Sequence, residues 1–518
     1  MKVGSPQSID VSSNSEIPIS SNKNGLFINV LTISLLGIVL VCLLSLFEPE
    51  WAKSVFVGTR RWSVINLDWF LVLSANVLLI FCVILALSPW GKIRLGKQAK
   101  SFSHLSWFAM VTFTGFGLTL IFWGVTEPLA FYTDWWGVPF NQTAKTAPAA
   151  ELGLAASLYH WGLHPWAIYA TTAIVVAYAS YNKSLPLSLS SALSPLLKGR
   201  HHAWSVKLID SMTVIVTLLG VVTTLGLGSR QAAKTLEHLY GIPNDQISQG
   251  AFILVISLIL LAVMQKGLNQ GIRRMSQVGL CLVVVFLLLF LVVSDISSAM
   301  GLIGNSSLRY LENFVAFSQW DDRSDLKFFH GWTVFYWLWW FSWAPFVGLF
   351  LAKISQGRSI RECVFGMVLL PTILTYIWFM LLGGVSLDQV IQGVSHIIEP
   401  RLSPSTALFN LLQTLPLGQW LSLIAMGLVL VCFITTSDSS LYIINRLSMG
   451  KNSRKGNQKF SQFWVLIQAS IAFSLLIFGG KKALESVQSA SLILGIVICV
   501  LLLLSSACLI WHLKQDKA

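Results

Sequence analysis

"GWTVFYWLWWFSWAPF", residues 331–346, places five tryptophans within sixteen residues of a chain otherwise rich in Leu, Ile, Val and Gly. What that stretch means depends on its solvent. Hydrophobic residues make up 55% of the 518 and charged residues 11%, too apolar and too long for one soluble domain with an ordinary surface. A bilayer core asks for roughly 20 mostly apolar residues per helix. That ruler places twelve spans at about 26–47, 65–88, 104–131, 152–180, 208–228, 250–265, 277–296, 332–352, 362–384, 417–445, 462–480 and 487–512. The runs are continuous rather than alternating, which excludes a β-barrel. The expected fold is an all-α integral membrane protein, and the tryptophans fall on span 8.

With the N-terminus inside, roughly two-thirds of the 35 Lys and Arg lie in cytoplasmic segments. Both termini are therefore expected to be cytoplasmic, and the net charge of +13 is a topology signal rather than a sign of nucleic-acid binding. Residues 1–25 are Ser-rich, polar and expected to be disordered, with no signal peptide evident. The seven cysteines lie in spans or at their ends and are expected to be small buried hydrophobes rather than disulfide partners or metal ligands.

No soluble domain interrupts the spans. The outer segment 297–331 contains "LRYLENFVAFSQWDD", whose apolar spacing predicts an amphipathic helix, and a similar helix is expected at 403–415. No phosphate-cradling loop, zinc ligand cluster or nucleophile elbow is visible, and "GLGSRQ" lacks the context of a nucleotide site. An enzyme is not expected, and no cofactor is called for.

The informative features are interruptions. Gly115 and Gly117 sit near the middle of span 3, and Pro345 follows the tryptophans of span 8. Five helices separate them, so 104–296 and 332–512 read as two halves of an inverted repeat, each opening with an interrupted helix, after two extra helices in 26–103. Secondary transporters place substrate and ion sites at such breaks, where unwound backbone frees N–H and C=O groups. Glycine also occurs in membrane helices simply to let them pack closely.

Tryptophan favours membrane interfaces, which accounts for Trp332, Trp135 and Trp136. It does not suit Trp340 and Trp343, about 12 to 16 Å along span 8 at the helical rise. Span 4 carries a second cluster, "YHWGLHPWAIY" (159–169), in which Trp166 and Tyr169 share a face and Trp161 lies a little over one turn away. Two aromatic clusters on different helices can form a cage. Its natural guest is a quaternary ammonium, held by ring faces at about 0.5 to 2 kcal/mol per desolvated contact. Glu127 and Asp438 are the clearest carboxylates inside spans, where charge suggests function; a proton relay and a structural role are both open, and the structural role is preferred.

The stretch from Trp332 to Glu362 resembles the signature of the betaine/choline/carnitine transporters, and "FWGVTEP" (122–128), "YHWGLHPWAIY" and "TTSDSS" (435–440) match three further family segments in order. The resemblance covers all twelve spans. It implies the inverted five-helix repeat of sodium symporters such as LeuT, preceded by two helices, in a homotrimer of the inner membrane. It also implies an aromatic box of Trp161, Trp166, Tyr169 and Trp340, with Trp343 at a secondary position on the path, and a substrate carboxylate beside Gly115, Phe116 and Gly117. Sodium-dependent members have neighbouring hydroxyls matching Thr435 and Thr436, with backbone carbonyls of Phe113, Phe116 and Cys432 completing the site; oxygen ligands suit a hard cation. Hydrogen bonding between helices is the alternative for those threonines.

Two departures qualify the resemblance. Betaine carriers have Gly-Met-Gly-Ile-Gly in span 3, whereas this chain has "GFGLT" (115–119), so a substrate other than glycine betaine is open. Sodium-independent carnitine exchangers carry an arginine resembling Arg273, whose bland reading, with Arg274, is a cytoplasmic anchor. The expected function is sodium-coupled import of a quaternary-ammonium compound. A proton-coupled choline carrier and a carnitine-type antiporter are the alternatives. After span 12 only "LKQDKA" remains, whereas osmosensing relatives carry a long basic tail, so transport without tail-based osmotic activation is expected.

Overall fold

The computed structural model describes residues 29–116, 119–197, 199, 202–399, 401–449 and 458–516. The N-terminal segment 1–25 and Gly117 lie outside the described residues, as do the last two of the tail. The first three helices follow one another with single-residue joints: α1 Val30–Phe47, α2 Pro49–Asn66 and α3 Asp68–Leu87. Then come α4 His104–Phe116, α5 Thr119–Tyr132, α6 Ala147–Trp161, α7 Leu163–Asn182, α8 His202–Tyr240, α9 Gln246–Met264, α10 Gly267–Val293 and α11 Ile296–Phe317. The second half holds α12 Phe335–Ile354, α13 Ile360–Ile391, α14 Ala407–Gln413, α15 Gly418–Met449, α16 Gln458–Ser474 and α17 Gly480–Gln515.

Among the described residues, nine helices are long and apolar enough to cross a membrane, or ten if the bent pair α4–α5 is one span. One of the nine is the 57-residue run Lys459–Gln515, which would be roughly 85 Å long if straight, far beyond the bilayer core. Gly480 adopts φ +60° and separates α16 from α17, so expected spans 11 and 12 both lie in that run. Span 4 is not among the nine. It is divided between α6 and α7 at Gly162, whose ψ of −123° is not helical, and every residue from His164 to Ala179 is buried. A helix enclosed by protein need not be uniformly apolar, which is why His, Trp, Tyr and Thr populate it.

Three local expectations change. Residues 49–66, between the first two expected spans, form a helix of their own; Pro49 opens it, and its charged face binds the start of α17 through Lys53–Glu485 at 3.6 Å and Glu50–Lys482. Pro345 does not interrupt span 8, because α12 runs continuously through it. The irregularity lies upstream, where Phe329–Val334 winds as a π-helical turn. Finally, Cys281 is exposed while the other six cysteines are buried, and all seven are free.

The segment 297–331 is largely occupied by α11, which packs along α6, and 403–415 contains the seven-residue α14. At the centre of the bundle α12 packs against α7, α8, α15 and α17. Its residues from Trp340 to Ala352 are all buried, so the tryptophan-rich stretch faces protein and not lipid.

Candidate functional site

The chain of rings begins where α6 breaks. Gly162 ends the helix at Trp161, and Pro165 has no N–H to offer the carbonyl four residues before it. The carbonyls of His160 and Trp161 thus lose their helical donors. Trp340 on α12 donates its indole N–H to the His160 carbonyl at 3.0 Å, which fixes the ring beside the break. Trp161 then meets Trp340 edge-on, with centroids 5.0 Å apart and planes at 73°. Tyr169 meets the other side of Trp340 at 6.3 Å and 85°, and Trp166 lies 5.8 Å from Tyr169 at 87°. The order Trp161, Trp340, Tyr169, Trp166 is continuous, and all four are at most 2% exposed.

Gly115 closes this group on the α4 side. A Cβ at that position would lie 2.4 Å from the Trp166 ring, so the absence of a side chain lets the indole seat against the end of α4. Phe116 ends that helix, and α5 departs from it at 60°.

Trp343 stands apart from the four rings. Its neighbours are Trp339 at 6.0 Å and Phe346 at 5.4 Å, and it lines a cavity of about 470 Å³ with Thr119, Trp123, Gln231, Trp339 and Glu485. A second cavity of about 690 Å³, bordered by Arg60, His330 and Trp332, shares Trp123, Trp136, Phe335 and Trp339 with the first. Trp339 stacks on Trp340 at 5.7 Å and 11°, which connects both cavities to the ring cluster. Trp332, expected at the lipid interface, is instead buried edge-on against Phe131 at 4.9 Å and Trp123 at 5.6 Å. Trp136 is 57% exposed, while Trp135 stacks on Trp123 at 6.5 Å.

Tyr336 was not among the residues singled out from the sequence, nor was Trp339. Yet Trp332, Tyr336 and Trp340 recur every four residues, the interval that puts side chains in register on a helix. They stack successively at 6.3 Å and 5.6 Å. That interval was the available signal.

The second cluster lies where α4 ends against α15. Carbonyls of the last turn of a helix have no intrahelical donors, and Phe113 and Phe116 both belong to it. Thr435 Oγ1 lies 3.3 Å from the Phe113 carbonyl, 3.2 Å from that of Cys432 and 2.8 Å from that of Val431. Thr436 Oγ1 is buried without a hydrogen-bond partner, and so are the hydroxyls of Thr112, Thr114 and Thr119 around the bend. Buried polar atoms are nearly always paired. The Phe113 carbonyl at the helix end, with the hydroxyls of Thr435 and Thr436 on α15, offers oxygen ligands of the kind a hard cation takes. Among the described residues no group of three or more His, Cys, Asp or Glu could hold a metal.

The remaining sequence candidates separate. Asp438 is buried one turn beyond Thr435 on α15. Glu127 is wholly buried and bound to Trp161, His160 and Tyr336, which joins it to the rings. Arg273 lies near the start of α10, about 9 Å by helical rise from Gly279, where a Cβ would touch Phe113. Its Nε is buried and unpaired.

A bundle of apolar helices with broken helices at its centre and an aromatic cleft beside them is the architecture of a secondary transporter. The family model for BCCT, the betaine/carnitine/choline family transporters, matches residues 29–518, and the chain belongs to that family. It is 37% identical over 93% of its length to a glycine betaine/proline/choline/ectoine transporter of Vibrio parahaemolyticus, covering 86% of that protein. It is 34% identical to the glycine betaine transporter OpuD of Bacillus subtilis, covering 91% of each chain. The fold is similar to a Na+-coupled sialic acid symporter solved in a substrate-bound outward-open state, with a TM-score of 0.52 and 12% identity over 85% of this chain and 86% of that one.

Proposed function

We propose that the protein imports a quaternary-ammonium compound of the glycine betaine, choline or carnitine class by alternating access, with sodium as the coupling ion. The observation that carries this reading is the adjacency of two unlike clusters at the end of α4. On one side Gly115 seats Trp166 and the chain of four rings; on the other the Phe113 carbonyl meets Thr435. Ring faces hold a cation that has no N–H to donate. Threonine hydroxyls and main-chain carbonyls hold sodium, which travels as a co-substrate. Trp343 and Trp339 line the approach from the two cavities, and the Gly115–Phe116 end of α4 is where a substrate carboxylate would rest.

Relatives named for betaine and choline, and the sodium-coupled neighbour, support the same reading. The distribution of Lys and Arg favours cytoplasmic termini, and family resemblance favours a homotrimer in the inner membrane. The test is uptake of labelled choline and glycine betaine into proteoliposomes at clamped voltage and fixed pH, with and without an inward sodium gradient. Uptake that requires sodium is expected. Uptake indifferent to sodium but driven by a pH gradient or by internal substrate would replace symport with proton coupling or exchange.

A further inference from the structure

Glu127 lies on α5, outside the ring cluster, yet every polar atom it meets belongs to a helix that carries a ring. Its Oε2 accepts the indole N–H of Trp161 at 2.7 Å and the hydroxyl of Tyr336 at 2.5 Å, while Oε1 meets His160 Nδ1 at 2.9 Å. The other nitrogen of His160 lies 2.9 Å from Thr333 Oγ1. With Nδ1–H donating to the carboxylate and Nε2 accepting from Thr333, both contacts are made without adding charge to the imidazole. Among the described residues, no arginine or lysine forms an ion pair with Glu127, and the basic side chain it meets is the His160 imidazole. Glu127 and His160 are 0% exposed, and Trp161, Tyr336 and Thr333 at most 2%.

We propose that Glu127 is the positioning residue that makes the aromatic cage selective for positive charge; this rests on the quaternary-ammonium reading above. Two effects act together. The carboxylate fixes both rings that flank Trp340, since Trp161 meets it edge-on and Tyr336 stacks on it, and the His160 carbonyl fixes Trp340 itself. An indole N–H donating to a carboxylate is a charge-assisted bond, which enriches the ring face that attracts the cation. A buried carboxylate balanced by neutral donors also leaves negative potential in a low-dielectric site, and a ligand without N–H groups neutralises it through the rings rather than by direct contact.

Two matched ligand pairs read this out, since each differs only by carbon in place of the charged nitrogen: choline against 3,3-dimethylbutan-1-ol, and glycine betaine against 3,3-dimethylbutanoate. Dissociation constants are measured by tryptophan fluorescence on the purified full chain, with sodium present. The wild type is expected to prefer the ammonium-bearing member of each pair by about 30-fold or more. Glu127→Gln keeps the side-chain shape and is expected to reduce that preference at least about fivefold, with the carbon analogue changed by less than about threefold. Equal losses for both members, or an unchanged preference, would overturn the proposal and leave Glu127 a packing residue. A wild type with no preference would overturn the cage reading instead. Should Glu127→Gln not fold, Glu127→Asp retains the charge and should retain the preference; its loss in folded Glu127→Asp would also refute the assignment.

Discussion

The two clusters at the end of α4 are built on opposite principles. In the aromatic cluster the polar atoms of Trp161, Tyr336, His160 and Trp340 are engaged and hold those rings in place, and the buried Tyr169 hydroxyl is the one polar atom of the four-ring chain found without a partner. In the threonine cluster the hydroxyl of Thr436 has no partner, and Thr435, besides bonding back to its own helix, reaches the Phe113 carbonyl in the last turn of α4, which has no helical donor. A preorganised cage selects by shape and charge. On the proposed reading a cation entering the second cluster would supply the contact that Thr436 lacks, which is how ion binding can stabilise one conformation over another.

The largest effect expected from this contrast is at Trp340. Replacing it by Leu removes a central ring and the bond to the His160 carbonyl, and should weaken quaternary-ammonium binding by about 30-fold or more while the protein elutes as a folded species. Trp340→Phe keeps a ring face and loses only the bond, so it should fall between. If Leu and Phe lose affinity equally, the hydrogen bond rather than the ring carries recognition, and the cage loses its basis.

A smaller effect belongs to the threonines. Thr435→Ala and Thr436→Ala should each raise the sodium concentration for half-maximal uptake by about tenfold, the scale of one lost charge-assisted contact. Substrate affinity at saturating sodium should stay near that of the wild type. If substrate affinity falls and sodium dependence does not, the hydroxyls serve helix packing, and the contrast between the clusters dissolves.

How far the sequence foretold these regions follows from what one dimension can carry. Apolar runs reveal spans because the bilayer imposes their length and composition, and the bend between α4 and α5 was legible because two glycines interrupt an apolar run. The division of span 4 at Gly162 was not, since "WGLHPW" reads equally as a continuous helix, and only the ψ of Gly162 and the indole on the His160 carbonyl distinguish the two. Pro345 misled in the other direction: a helix packed on several sides tolerates a proline without breaking. The partners of Glu127 come from positions 160, 161 and 336, and no local pattern links them. Helix α2 was missed because its charged residues resemble a loop until its pairing with α17 is known.

The last expectation asks whether the two clusters are independent. Side chains at 113 and 115, two apart on α4, point in nearly opposite directions at about 100° per residue: the Phe113 ring faces Gly279 and the bare face of Gly115 receives Trp166, while the Phe113 carbonyl in the last turn reaches Thr435. Gly115→Ala would put a Cβ 2.4 Å from that indole, and an overpacked contact of this kind costs about 1 to 3 kcal/mol. Part of the strain falls on Trp166 and part on the end of α4. Both the substrate and the sodium half-saturation constants should therefore rise, each by about fivefold, less than either direct substitution produces. Linkage requires that whatever factor sodium contributes to substrate affinity, substrate contributes to sodium affinity, so the variant should weaken both by similar factors if α4 carries the coupling. A rise in the substrate constant alone would show that the helix end does not transmit between the clusters, and the path of coupling would then have to run through α12 and α15, which are also in contact.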